Sequence, residues 1–166
     1  RILLVISGHA GEYPKRVVAS GGRYLEKDER DIPDTFMMMV DYPSEHTVML
    51  ISVMTNDGNL PMVIRGQYGT LDVEPSLKIH EQGVWSQEFR SANADRLEAM
   101  MAAGGESAEA PGAGRFSFDM DPQPRRDQVG NWFDAIRDGA RLACDVDLGC
   151  STMVAIKMGV EAYRQD

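Results

Sequence analysis

The chain has 166 residues, 43% of them hydrophobic and 26% charged, with a formal net charge of −9. That is the composition of one globular domain large enough to hold its own core, and it argues against wholesale disorder and against collagen-like or coiled-coil organisation. The acidic balance, with no basic stripe, disfavours nucleic acid and anionic membrane surfaces as partners.

Residues 2–6 (ILLVI) are too short to span a bilayer and lack the layout of a signal peptide. With Ser7 and Gly8 they read as the tail of a helix. Residue 1 is Arg rather than Met, so the expectation is a processed chain or a piece of a longer one. Residues 15–20 (KRVVAS) read as a strand ending at Gly21-Gly22, and residues 26–34 (EKDERDIPD) as a charged surface loop. Residues 35–42 and 47–54 are the clearest strands, joined by a four-residue link suited to a hairpin. A turn at Asn56-Asp57-Gly58-Asn59 leads to a strand over 60–65, and further strands are expected over 70–74, 77–80 and 84–89. Residues 94–103 predict a short helix, and 104–114 (GGESAEAPGAG) a mobile loop. Val129, Trp132, Phe133 and Ile136 fall at i, i+3, i+4 and i+7, one face of a helix over 127–137 that Gly139 ends. Asp147 is a candidate cap for a last helix, whose apolar face continues through Met153, Ile156, Val160 and Tyr163. Strands first and helices after give an α+β class: a large, open, mostly antiparallel sheet with helices on one face.

The two clearest strands are apolar on both faces. Phe36, Met38, Val40 and Tyr42 point one way, yet Met37 and Met39 oppose them, as Met49 and Ile51 do in the next strand. A sheet with one wet face alternates cleanly. The second face is therefore read as an association surface formed by Met37, Met39, Met49 and Ile51, with a second copy of the chain as its expected partner. The competing expectation is that residues 91–115 cover it.

Chemistry is sparse. His9, His46 and His80 are not at metal-ligand spacing, and His46, in a turn, is expected to be solvated. Cys144 and Cys150 form no C-x-x-C and read as reduced thiols of an intracellular, cytoplasmic protein. No G-x-S-x-G is present. Gly112-Ala113-Gly114 and Ser20-Gly21-Gly22 both lack the strand–turn–helix context of a dinucleotide loop. Asp28, Glu29, Asp31 and Asp34 cluster, but Lys27 and Arg30 interleave them, as on a solvated face. No catalytic, cofactor-binding or metal residue is assigned.

Three stretches together resemble the C-terminal domain of the Gfo/Idh/MocA oxidoreductases, the glucose-fructose oxidoreductase and inositol dehydrogenase family. The first is residues 13–22 (YPKRVVASGG), leading to Ile32-Pro33-Asp34-Thr35 and Asp41-Tyr42-Pro43. The second is residues 64–71 (IRGQYGTL). The third is residues 131–137 (NWFDAIR), followed by Cys144-Asp145, Leu148-Gly149, Val154-Ala155-Ile156 and Glu161-Ala162-Tyr163-Arg164. The resemblance covers nearly the whole chain, apart from residues 91–120. It implies that the chain is a substrate and oligomerisation domain whose longer protein adds an N-terminal Rossmann domain for NAD or NADP. It also implies a sugar or polyol substrate and a homo-oligomer built through the sheet face.

Family members use a Lys in an E-K-P motif, usually with a His on a helix. This sequence has no E-K-P, and residues 1–8 hold no His, so the catalytic role is not carried to His9. The chain by itself is expected to be inactive. Substrate contacts in the family come partly from loops at one end of the sheet, which puts Arg23, Tyr24 and Asn56 forward as substrate-binding candidates. The rival expectation is a standalone, non-catalytic binding or assembly module that uses the same sheet face.

Overall fold

The computed structural model describes residues 11–25, 27–58, 60–74, 76–102, 116–120 and 126–165. The helix tail expected at residues 2–7 and the mobile loop expected at 104–114 lie outside them. The class is α+β, with antiparallel pairing in every ladder. The chain divides into two compact units, Arg1–Gly58 with Arg126–Asp166, and Asn59–Arg125. Among the described residues no helix is long and apolar enough to cross a membrane.

The first unit holds a three-stranded sheet in the order β1 (Arg16–Gly22), β2 (Thr35–Asp41), β3 (Thr47–Val53). The expected hairpin closes where Tyr42 N–H donates to the His46 carbonyl at 3.0 Å. β1 runs through Gly21 and Gly22 rather than stopping before them, because both pair across to Phe36 and Thr35.

The inner face of this sheet is the core. Ala19, Met38, Val40 and Tyr42 are buried against Leu148 and Ala155 of a long helix, α4 (Val146–Gln165). Gly159 lets that helix come close: a Cβ there would lie 2.5 Å from Met38 Sδ. Tyr163 meets Phe36 edge to face at 6.0 Å. The cap of α4 is Asp145, not Asp147: the Asp145 carboxylate accepts from Leu148 N–H at 2.9 Å, while Asp147 sits in the first turn.

α3 (Gln128–Asp138) carries its caps as read from the sequence. Asp127 accepts from Gly130 N–H at 2.8 Å, and Gly139 closes the helix at φ 66° in the left-handed region. Its apolar stripe is nonetheless open: Val129, Trp132, Phe133 and Ile136 are all exposed, and no α3 residue is buried.

The second unit holds β4 (Val63–Arg65), β5 (Gly69–Asp72), β6 (Lys78–Glu81) and β7 (Ser117–Asp119) in that spatial order. The strand expected over 60–65 shortens to its last three residues, beyond Pro61, which cannot donate to a ladder. The strand expected over 84–89 is not there. Gly83–Trp85 is a 3-10 turn, followed by α1 (Ser86–Ala92) and α2 (Ala94–Ala102). Trp85 and Phe89, four residues apart, would share one face of a strand, but they are also one helical turn apart. The turn lets Trp85 meet Tyr68 edge to face at 5.9 Å and sends Phe89 into the core.

That core is aromatic. Phe89, Phe116 and Phe118 are buried together with Ile79, Leu97 and Met120 against them. Arg96 lies 4.4 Å over the Phe118 ring. Beside it, Glu81 is 1% exposed. Its carboxylate accepts from Arg90 at 2.9 and 3.0 Å and from the Ser86 hydroxyl at 2.9 Å. The Arg90 hydrogen bonds hold Glu81 at a pKa of about 2, against the opposing effect of burial.

Candidate functional site

Two features of the first unit stand out as places to bind something: a loop cavity at one end of the sheet, and the sheet's outer face.

The loop between β1 and β2 is organised by Asp34, which is buried rather than part of a solvated run. One carboxylate oxygen accepts from the backbone N–H groups of Tyr24 and Leu25, both at 2.8 Å, and the other accepts from the Thr35 hydroxyl at 3.1 Å. A short carboxylate that satisfies two successive amides pulls the chain into a turn. The Asp34 carbonyl then accepts from Met54 N–H at 2.8 Å, which brings the end of β3 against the loop.

Between them lies a cavity of about 210 Å³ with apolar walls from Leu25, Ile32 and Met54. Asp28, Arg30, Asp34 and Thr55 supply the polar lining. Arg30 donates to Asp28 at 2.6 Å, and its own backbone N–H also donates to that carboxylate, at 3.1 Å. The backbone bond first, then the guanidinium, hold the Asp28 carboxyl below its ordinary range, so at neutral pH it accepts hydrogen bonds and does not supply a proton. Carboxylates, a guanidinium and aliphatic walls suit a small polyhydroxylated molecule. The volume is below the roughly 300–1,000 Å³ of a complete small-molecule pocket.

None of the three sequence-nominated residues lines it. Arg23 donates to the Asp28 carbonyl at 2.8 Å and to the Arg30 carbonyl, and so ties the loop to itself. Tyr24 is two-thirds exposed, its ring beside Gly22. Asn56 accepts from Gly58 N–H at 2.7 Å and closes its own turn. The lining falls to their chain neighbours, Leu25 and Thr55.

The outer face of the sheet is the larger feature. Val18, Met37, Met39, Met49, Ile51 and Val53 point away from α4, each between 39% and 63% exposed. Met39 pairs directly with Met49 and with Val18, and Met37 with Ile51, so the apolar surface is continuous across three strands. At one end Arg16 and Asp41 pair at 2.7 Å, and Thr47 donates to Asp41 at 2.8 Å, so the rim charges compensate each other.

His46 is half-buried, contrary to the solvated turn expected of it. Its ring stacks on Tyr42 at 4.6 Å, and its Nδ1 lies 2.9 Å from the Ser44 hydroxyl, which donates to Glu12 at 2.6 Å. With the Ser44 proton on a carboxylate, this cluster knits Glu12 to the hairpin and makes no activated nucleophile. Among the described residues no three His, Cys, Asp or Glu side chains converge as metal ligands. Nor do the described residues fit a dinucleotide: Gly21 and Gly22 are locked in the β1–β2 ladder, and every strand pair is antiparallel, so no strand–glycine turn–helix cradle forms for a pyrophosphate.

No family model matches the sequence, and no curated protein matches it either. Solved structures do share its fold. The chain superposes on UDP-N-acetylglucosamine 3-dehydrogenase from Acidithiobacillus ferrooxidans with a TM-score of 0.62 and 18% identity, covering 99% of this chain and 45% of that one. An aldose-aldose oxidoreductase from Caulobacter crescentus, complexed with glycerol, gives 0.60 and 16%, covering 98% and 43%. An NAD-binding protein from Listeria innocua gives 0.57 and 14%, covering 93% and 40%. The chain spans less than half the length of each.

Proposed function

We propose that this chain, whose fold is that of Gfo/Idh/MocA-type oxidoreductases over nearly its whole length, is the substrate-facing and oligomerising domain of an NAD(P)-dependent enzyme acting on a sugar or polyol. The observation that carries the reading is this shared fold with sugar oxidoreductases at less than half their length. Hydride transfer needs a cofactor fold and a substrate wall, and the described residues supply a wall. The loop cavity is the part of that wall that grips hydroxyls, through Asp28 and Arg30, with Leu25 and Met54 against the carbon skeleton. The outer face of the β1–β3 sheet seats a second copy. The open stripe of α3 rests on another part of the longer protein.

The test is the coding DNA upstream of the Arg1 codon. The reading expects the same frame to encode strand, G-x-G-x-x-G and helix, then E-K-P. It also expects the 166-residue chain alone to show no affinity for NAD(H) or NADP(H) by calorimetry. A start codon directly before Arg1, or micromolar dinucleotide binding by this chain, overturns it; the first result leaves the standalone assembly module as the reading.

A further inference from the structure

We propose that Met37, Met39 and Met49 are a peroxide-oxidation site that controls self-association of the β1–β3 face. The inference rests on the oligomer reading above. The three thioethers stand on one face: Met39 is the direct cross-strand partner of Met49, and Met37 lies two residues along the same strand. They are 45%, 45% and 63% exposed. Met38, between two of them in sequence, points the other way and is 6% exposed beneath α4. The same short run therefore holds reactive and protected sulfurs side by side.

The occupant of the face is a second copy of this chain. Copies carrying −9 each repel one another. The centre of the β1–β3 face is uncharged and its rim pair Arg16–Asp41 is internally compensated, so a second copy meets no unpaired charge at that centre. A two-fold contact between identical apolar surfaces needs no complementary charge on the partner.

The chemistry is the first step of methionine oxidation. The thioether sulfur attacks one oxygen of a peroxide, the O–O bond breaks and an S–O bond forms. The sulfur loses two electrons, and hydrogen peroxide, reduced by the same two, leaves as water. The product is a polar sulfoxide whose oxygen demands a hydrogen bond that a dry contact between two such faces does not offer. Oxidised chains therefore stay apart, and associated chains shield their own sulfurs. Two thiols reverse the step: they are oxidised to a disulfide, the sulfoxide oxygen leaves as water, and the thioether surface is restored.

The experiment treats the chain with hydrogen peroxide at low and at high protein concentration, maps each methionine by peptide mass spectrometry, and follows association by sedimentation velocity. Met153, exposed on α4 away from this face, is the internal reference. We expect Met37, Met39 and Met49 to oxidise as fast as Met153 in dilute protein and several-fold more slowly in concentrated protein. Met38 stays reduced throughout. Association of the oxidised chain weakens by roughly 100-fold. In the Met37→Leu, Met39→Leu, Met49→Leu variant, the association measured before peroxide and after it is the same. Unimpaired association of a chain oxidised at all three positions overturns the inference and leaves the oligomer reading intact, as does equal peroxide sensitivity in the triple variant. A chain that is monomeric before any oxidation overturns the oligomer reading, and the inference with it.

Discussion

α3 and α4 both carry an apolar stripe, and the chain uses them in opposite ways. α4 buries Leu148, Ser151, Ala155 and Gly159, and closes onto β1 and β2 through the gap that Gly159 leaves for Met38. α3 has the more regular spacing of large side chains, two of them aromatic, and buries none of them. A stripe at i, i+3, i+4 and i+7 specifies a helix and the face that wants covering. It does not specify what covers it. An isolated helix of 11 residues is marginal in water, so α3 depends on its caps here and on whatever meets its stripe elsewhere.

Substitutions sharpen that contrast. Leu148→Ala removes a buried side chain from the α4–sheet contact and should lower stability by about 3 kcal/mol in urea denaturation. Glu81→Gln breaks the ion pair with Arg90 in the second unit and should destabilise it by about 2 kcal/mol. The chain's two tryptophans divide between the units, so fluorescence of Trp85 reports this loss while that of Trp132 does not. Gly139→Ala forces a Cβ into the left-handed region at the end of α3, at about 1 kcal/mol. Trp132→Ala, on the open stripe, should change the stability of this chain by less than about 0.5 kcal/mol despite removing its largest side chain type. A loss comparable to that of Leu148→Ala would mean that α3 is packed and that the contrast is false.

Acid gives a separate handle on the second unit. The folded pKa of Glu81, about 2, lies below the ordinary value of about 4.3 expected when unfolded. The unfolded chain therefore binds more protons, and the Glu81 contribution is present above that ordinary value and lost as pH falls toward 2. Unfolding midpoints read by Trp85 should fall across that window in the unmodified chain. In Glu81→Gln this part of the acid dependence should vanish.

What the sequence made legible was mostly local. The β2–β3 hairpin could be read because two apolar runs flank a four-residue link, and α3 because Asp127 and Gly139 bracket it. The two-sided apolarity of the sheet was visible in the alternation itself. The missed features depend on contacts that local spacing does not encode. β7 and the residue before it alternate Phe116 and Phe118 with Ser117 and Asp119, a strand signal in only four residues, and β7 pairs with β6 across nearly forty residues. Asp34 looked like one carboxylate among several until its turn with Tyr24 and Leu25 was seen. Glu81 and Arg90 meet only because residues 83–92 turn and coil instead of extending.

The most direct test of the oligomer reading is sedimentation velocity of the unmodified chain beside Met39→Glu, with circular dichroism to show that both are folded. The account expects a dimer or larger assembly for the unmodified chain at micromolar concentration, and a monomer for the variant, whose new charge sits at the centre of the β1–β3 face beside Met49 and Val18. A folded, unmodified chain that sediments as a monomer at every concentration would contradict it.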